Sequence, residues 1–187
     1  TPVAEITMAE LATDKESGDQ GFLTRVDLLT AMGYNVLVSD YLRFFRLRSW
    51  IRRYTQNTLA IVLSVLDFDQ LFDPRFYDGL EGGILEAMGK LFSDNTRVYV
   101  YPAKIGGRLV SLDNVEIQPE LNHLLRFLVA NNAMLPASYY REDFLHILAA
   151  DVLNQIATGA ETWQEQVPEV VARTIRERGL YGFNAGD

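Results

Sequence analysis

The sequence has no cysteine and only two histidines, His123 and His146. Without thiols, disulfides, thiolate catalysis, Fe–S clusters and Cys-ligated zinc are all excluded. The two histidines stand 23 residues apart, which is not a ligand spacing, and no metal is expected. Basic residues are in deficit, 17 against 25 acidic ones, for a formal net charge of -8 and a pI near 4.8. A general nucleic-acid binder carries the opposite sign, because phosphate contacts need Lys and Arg, so no nucleic-acid partner is expected. No apolar run reaches the ~18–20 residues of a membrane helix. The longest, Leu59 to Leu66, is interrupted by Ser64, so no membrane partner is expected and the location reads as cytoplasmic. The fingerprints G-x-G-x-x-G, G-x-x-x-x-G-K-[ST] and G-x-S-x-G are missing, and with them the signatures of dinucleotide, P-loop and nucleophile-elbow sites.

What remains is an ordinary globular composition, 187 residues with 48% hydrophobic and 22% charged. That length suits one core, or one core with a small appendage. The chain opens Thr1-Pro2-Val3 without Met and without a basic leader, which reads as a fragment of a longer protein. Residues 1–20 read as a polar lead or linker, because Thr13 to Asp19 carries no apolar side chain; Val3 to Leu11 is mildly apolar and suits a surface segment or an edge strand.

Residues 21–118 read as an α/β layer. Apolar residues at 22, 23, 26, 28, 29 and 32 have helical spacing, with Gly33 as the stop. Val36-Leu37-Val38, Leu59 to Val65 and Arg97 to Tyr101 read as strands buried on both faces, expected to pair in parallel in one sheet. Between them fall helices at 41–54, with Leu42, Phe45, Ser49 and Trp50 on one face, and at 67–92, broken at Asp73-Pro74 where Asp73 suits an N-cap. Leu109-Val110-Ser111 and Val115-Glu116-Ile117 read as short strands around a Gly106-Gly107 hairpin. From 119 to 187 only helices are expected, at 120–131, 142–158 and 168–178, forming a cap packed on the same core. The fold class is therefore α/β, a Rossmann-like, mostly parallel sheet with flanking helices and an all-helical C-terminal cap.

Five constellations bear on function. Ser39 and Asp40 stand at the end of a strand and the start of a helix, where open α/β sheets bind ligands; N-capping alone also accounts for them. Arg43, Arg46, Arg48, Arg52 and Arg53 crowd one helix. Residues 43, 46 and 53 lie near one stripe, with Trp50 and Tyr54 beside it. Such a stripe reads as a solvated face, as an interface or as an anion site. At least two of Arg43, Arg46 and Arg53 are expected to pair with acidic groups of this domain or of a second, symmetry-related copy. Gly82 and Gly83 inside a helix each cost about 1 kcal/mol against Ala, so a close backbone approach or a ligand beside Glu81 is expected there. His146 and His123 read as partly buried, satisfied histidines. Trp163 and the tail from Gly179 to Phe183 read as a segment docked on the body.

Several runs are familiar together: Phe22 to Leu29, Val36-Leu37-Val38-Ser39-Asp40-Tyr41, Arg52-Arg53-Tyr54-Thr55, Leu80 to Glu86, Val98-Tyr99-Val100-Tyr101-Pro102, Leu109 to Asn114 and Ile175 to Gly182. They resemble the C-terminal part of a bacterial protein family whose members carry the names nicotinate-nucleotide adenylyltransferase or TonB-dependent receptor. The resemblance spans nearly all of residues 20–183. Neither histidine has the H-x-G-H context of a nicotinate-type nucleotidyltransferase, and the strand series of an outer-membrane barrel is missing. The resemblance therefore carries over no catalytic residue and names no cofactor. By name alone it implies nicotinate-nucleotide metabolism; the strand ends themselves point to a nucleotide-like or phosphorylated metabolite as ligand, near Ser39, Asp40, Arg43 and Glu81. The alternative is a non-catalytic interaction or dimerisation module. It would use Arg43, Arg46, Trp50 and Arg53 to meet a second copy or the N-terminal part of the same protein.

Overall fold

The structure, a computed structural model, describes residues 1–8 and 18–183, with the side chains of 18–20 left aside. The heart of the expected linker lies outside the described residues, and Gly18 already belongs to the first helix. In chain order the described elements are β1 (Val3–Thr7), α1 (Gly18–Ala31), β2 (Asn35–Ser39), α2 (Phe44–Ile51), β3 (Leu59–Ser64), α3 (Phe68–Phe72), α4 (Gly83–Leu91), β4 (Thr96–Tyr101), β5 (Ala103–Ile105), β6 (Arg108–Val110), α5 (Asn122–Ala130), β7 (Met134–Pro136), α6 (Ala149–Thr158) and α7 (Glu169–Arg178). The protein is mixed α/β with parallel sheets flanked by helices, as the alternation of patterns predicts.

The chain divides into two units, 1–42 together with 147–187, and 43–146. These boundaries differ from the expected layer at 21–118 and cap at 119–187. The expected single sheet is also divided. Strands β3 and β4 pair in parallel, Leu59 opposite Thr96 through Ser64 opposite Tyr101. Strand β2 instead pairs in parallel with β1, Val3 opposite Asn35 through Thr7 opposite Ser39. The triplet is not buried on both faces as expected, since Val38 is exposed; β2 is held by its ladder to the mildly apolar N-terminal flank, a pairing that no local pattern specifies.

In the unit 43–146 the sheet order is β3-β4-β7. Strand β7 corrects the all-helical reading of 119–187: Met134 lies opposite Val98 and Pro136 opposite Val100. It stays short because Pro136 has no N–H to donate to a ladder. Along β4, Thr96, Val98 and Val100 are buried, and Arg97, Tyr99 and Tyr101 on the opposite face are half-buried. The core joins Val98, Val100 and Met134 to Phe45 of α2, Leu71 of α3, Met88 and Leu91 of α4, and Leu125 and Leu128 of α5. Full burial of each such side chain contributes about 1.5–3 kcal/mol. The inward face of α2 is Phe45, Leu47 and Arg48, whereas Leu42 and Ser49 of the expected inward set are exposed. The Gly106-Gly107 hairpin forms, both glycines at positive φ (56° and 81°), but it joins 103–105 to 108–110, and 115–117 is not a strand.

In the other unit, Gly33 at φ 86° ends α1 as expected. Its N–H bonds the Thr30 carbonyl at 2.9 Å, and that of Tyr34 bonds Leu29 at 3.1 Å. Helix α7 begins after Pro168 and stops at Gly179, φ 61°, also as expected. The expected helix 142–158 splits into a 3₁₀ turn at Glu142–Phe144 and α6. His146 consequently sits exposed between them, and His123 is exposed on α5, so neither is the partly buried histidine expected. Trp163, 1% exposed, is the centre of this unit's cluster with Val152, Ile156, Ala172 and Ile175. The Phe183 ring meets it edge-on at 5.8 Å.

Candidate functional site

Ser39 closes β2, but its hydroxyl is engaged. It donates to the Glu5 carboxylate at 2.6 Å and accepts the Tyr41 N–H at 3.1 Å. A carboxylate at this strand end repels phosphate, and Asp40 beside it is exposed. Ser39 and Asp40 belong to one unit, Arg43 and Glu81 to the other. The expected ligand set is therefore divided between them. Within its own unit, Arg43 donates Nε–H to the Phe76 carbonyl at 3.0 Å, with the guanidinium 4.2 Å from the Phe76 ring centre.

The five arginines have separate fates. Arg48 and Arg52 turn inward at the C-terminal end of α2. Arg48 donates to the Ser93 carbonyl (2.8 Å), the Asp94 carboxylate (2.6 Å) and the Thr96 hydroxyl (3.4 Å). Arg52 donates to the carbonyls of Asn57 (2.5 Å) and Asp94, and to Thr96 (3.3 Å); its Nε–H is buried with no partner among the described residues. The pair holds the turn that enters β4, where Asp94 and Asn95 both adopt positive φ (50° and 55°). Arg46 and Arg53 face outward. Among the described residues of the chain neither forms an ion pair, which leaves a second copy as the expected source of carboxylate; Asp94 pairs with Arg48.

The glycine pair stands at the start of α4, not inside it. Gly83 has φ 53° with open space around it, and a Cβ on Gly82 would lie 2.8 Å from the Glu86 Cβ. Backbone conformation and the helix's own first turn thus account for the pair, and no close approach of another element is involved. Glu81 is exposed, while Glu86 reaches back to the Gly82 N–H at 2.9 Å and pairs with Lys90 at 2.5 Å. The Lys90 bond, then the Gly82 N–H, hold the Glu86 carboxyl below its usual range. Asp73 is capped as expected: it accepts the Arg75 N–H at 3.0 Å and holds the Arg75 guanidinium, which lowers its pKa. Tyr77 donates to the Leu71 carbonyl at 2.8 Å, and burial pushes its phenol up to about 12.

The C-terminal ends of β3, β4 and β7 form a second strand-end region, which motif reading passed over. Ser64 lies opposite Tyr101, and the Ala137 N–H bonds the Val100 carbonyl at 2.9 Å. The Ser64 N–H donates to Asp67 and the Ser64 hydroxyl accepts from Leu66, a capping box. Beyond β7 the chain carries Tyr139-Tyr140-Arg141. Tyr140 meets Tyr101 edge-on at 6.0 Å, and Tyr139 is 95% exposed. The Arg141 guanidinium lies 4.3 Å from the Phe144 ring centre and 3.7 Å from the Asp143 carboxylate. The signal was available: the strand-end rule applied to Ser39 applies equally to the residues after 59–65 and 97–101.

Among the described residues no group of three or more His, Asp or Glu is placed to hold a metal ion, and no helix is long and apolar enough to cross a membrane. Compared with known proteins, the chain matches no family model, no curated protein and no solved structure.

Proposed function

We propose that the chain is a binding module for a small, planar, negatively charged metabolite, nucleotide-like or phosphorylated. The ligand is held at the C-terminal edge of β3-β4-β7. The observation that carries this reading is the convergence of Ser64, Tyr101 and Tyr140 where parallel strands end, with Arg141 next in the chain. Open α/β sheets bind ligands beyond the carboxyl ends of their strands. The strand order separates two charges: Asp67 follows β3 and Arg141 lies beyond β7. The anionic part of the ligand belongs on the Arg141 side, where a guanidinium fork takes oxyanions. The tyrosine faces take the planar part. The resemblance to the nicotinate-nucleotide family points to the same class and supplies the first probe.

Titration calorimetry with nicotinate mononucleotide, AMP and inorganic phosphate tests this. Binding of either nucleotide, weakened about tenfold or more by Tyr140→Ala and by Arg141→Gln, is the expected result. Phosphate alone binding as well as the nucleotides would remove the stacking role. No heat from any probe at millimolar concentration would end the proposal.

A further inference from the structure

The outward face of α2 belongs to no part of that edge. Arg46, Trp50 and Arg53 follow at intervals of four and three residues, so they share one stripe. The Arg53 and Tyr54 N–H groups bond the Trp50 and Ile51 carbonyls at 3.1 and 2.9 Å, which carries the helical turn on to Tyr54. Tyr54 is 72% exposed, and its ring lies 5.0 Å from that of Trp50. Arginine beside an exposed tyrosine, with a half-buried tryptophan next to it, is a composition enriched at interfaces. The stripe is cationic on a chain of net charge -8, so its complement is abundant on the chain itself.

We infer that this stripe is the contact between two copies of the chain, with Arg53 of one set against Asp78 and Glu81 of the other. The geometry supplies the pairing. The Arg43–Phe76 hydrogen bond places the turn ahead of α4 beside the N-terminal end of α2, and Asp78 and Glu81 follow on that turn, both exposed. A two-fold, antiparallel crossing of the helices brings the Arg53 and Tyr54 end of each onto the end of the other that carries Arg46, Asp78 and Glu81. A parallel crossing would set Arg53 against Arg53, away from both carboxylates. An isologous contact of this kind closes at two copies.

Sedimentation velocity of the full chain reads the outcome. At about 0.1 M salt, where charges act over about 10 Å, a dimer is expected; at about 1 M, where they act over about 3 Å, it should dissociate. Arg46→Glu with Arg53→Glu should give a monomer at both, with an unchanged circular dichroism spectrum. Adding Asp78→Arg and Glu81→Arg to that variant should restore the dimer, a result that general loss of solubility or of ligand binding would not produce. The milder Arg53→Gln, weakening the dimer about tenfold, serves if the reversed charges disturb folding. A parent that stays monomeric at low salt would overturn the inference, as would a charge swap that fails to restore association. Salt-sensitive binding of the parent to RNA, abolished by Arg46→Glu with Arg53→Glu, would reassign the stripe to nucleic acid.

Discussion

The two units bury apolar surface in different ways. The unit 43–146 is one continuous stretch of chain, and its core runs through almost every element, from Phe45 to Met134. The other is assembled from 1–42 and 147–187, and the cluster in its C-terminal part gathers around one large side chain, Trp163. A core shared among many strands and helices absorbs the loss of one member better than a core built on a single indole. The same contrast holds at the strand ends. Both terminal serines are engaged, Ser39 with Glu5 and Ser64 in a capping box with Asp67, but only the second edge adds aromatic side chains, Tyr101 and Tyr140.

The largest test of this contrast is Trp163→Ala, which should cost about 3–5 kcal/mol. Hydrogen exchange should show amide protection lost first within 3–39 and 149–178. Equal loss in β3 and β4 would mean that the units do not open separately. Next comes the inward arginine pair. Arg52→Met leaves the Asn57 and Asp94 carbonyls without their donor and should cost about 2–3 kcal/mol in urea unfolding. Because its Nε–H is buried without a partner among the described residues, Arg52→Met would be neutral if packing outweighs those carbonyl bonds, and that result would remove its role in holding the turn.

Two glycines of α4 sharpen the same point with opposite signs. Gly83→Ala should destabilise by about 1–2 kcal/mol, because its φ of 53° is left-handed. Gly89→Ala should stabilise by up to about 1 kcal/mol, since it lies within the helix with open space around it. Matching shifts of the two melting temperatures would show that space, not backbone angle, decides. The last test is a pH dependence, felt only above about pH 10. The phenol of Tyr77 is raised by burial to about 12, above its unfolded value of about 10. The neutral phenol is therefore favoured by the fold. The associated stability is complete below about pH 10 and is lost as pH rises toward about 12. Tyr77→Phe should flatten that decline in a pH series of urea midpoints.

Much of this was legible along the chain. Strands at 59–64 and 96–101, helix stops at Gly33 and Gly179, the Asp73-Pro74 break and the Gly106-Gly107 hairpin all follow from local patterns of apolar spacing and backbone freedom. So did the α/β class, since alternating helix and strand patterns leave few other layers. The partner of β2 was not legible. Strand pairing is a contact between distant residues, and an apolar triplet is equally satisfied by any strand of matching pattern. For the same reason Met134-Leu135-Pro136 passed unnoticed: three residues carry too little periodicity to announce a strand, and only β4 gives them a ladder. The arginines show the division within one helix. Sequence spacing put Arg46 and Arg53 on a shared stripe, because helical geometry is local. That Arg48 and Arg52 turn inward to hold Asp94 and Thr96 was decided by tertiary packing. The turn entering β4 presents backbone carbonyls and a buried hydroxyl at that end of the helix, and a guanidinium satisfies them where an apolar side chain would not.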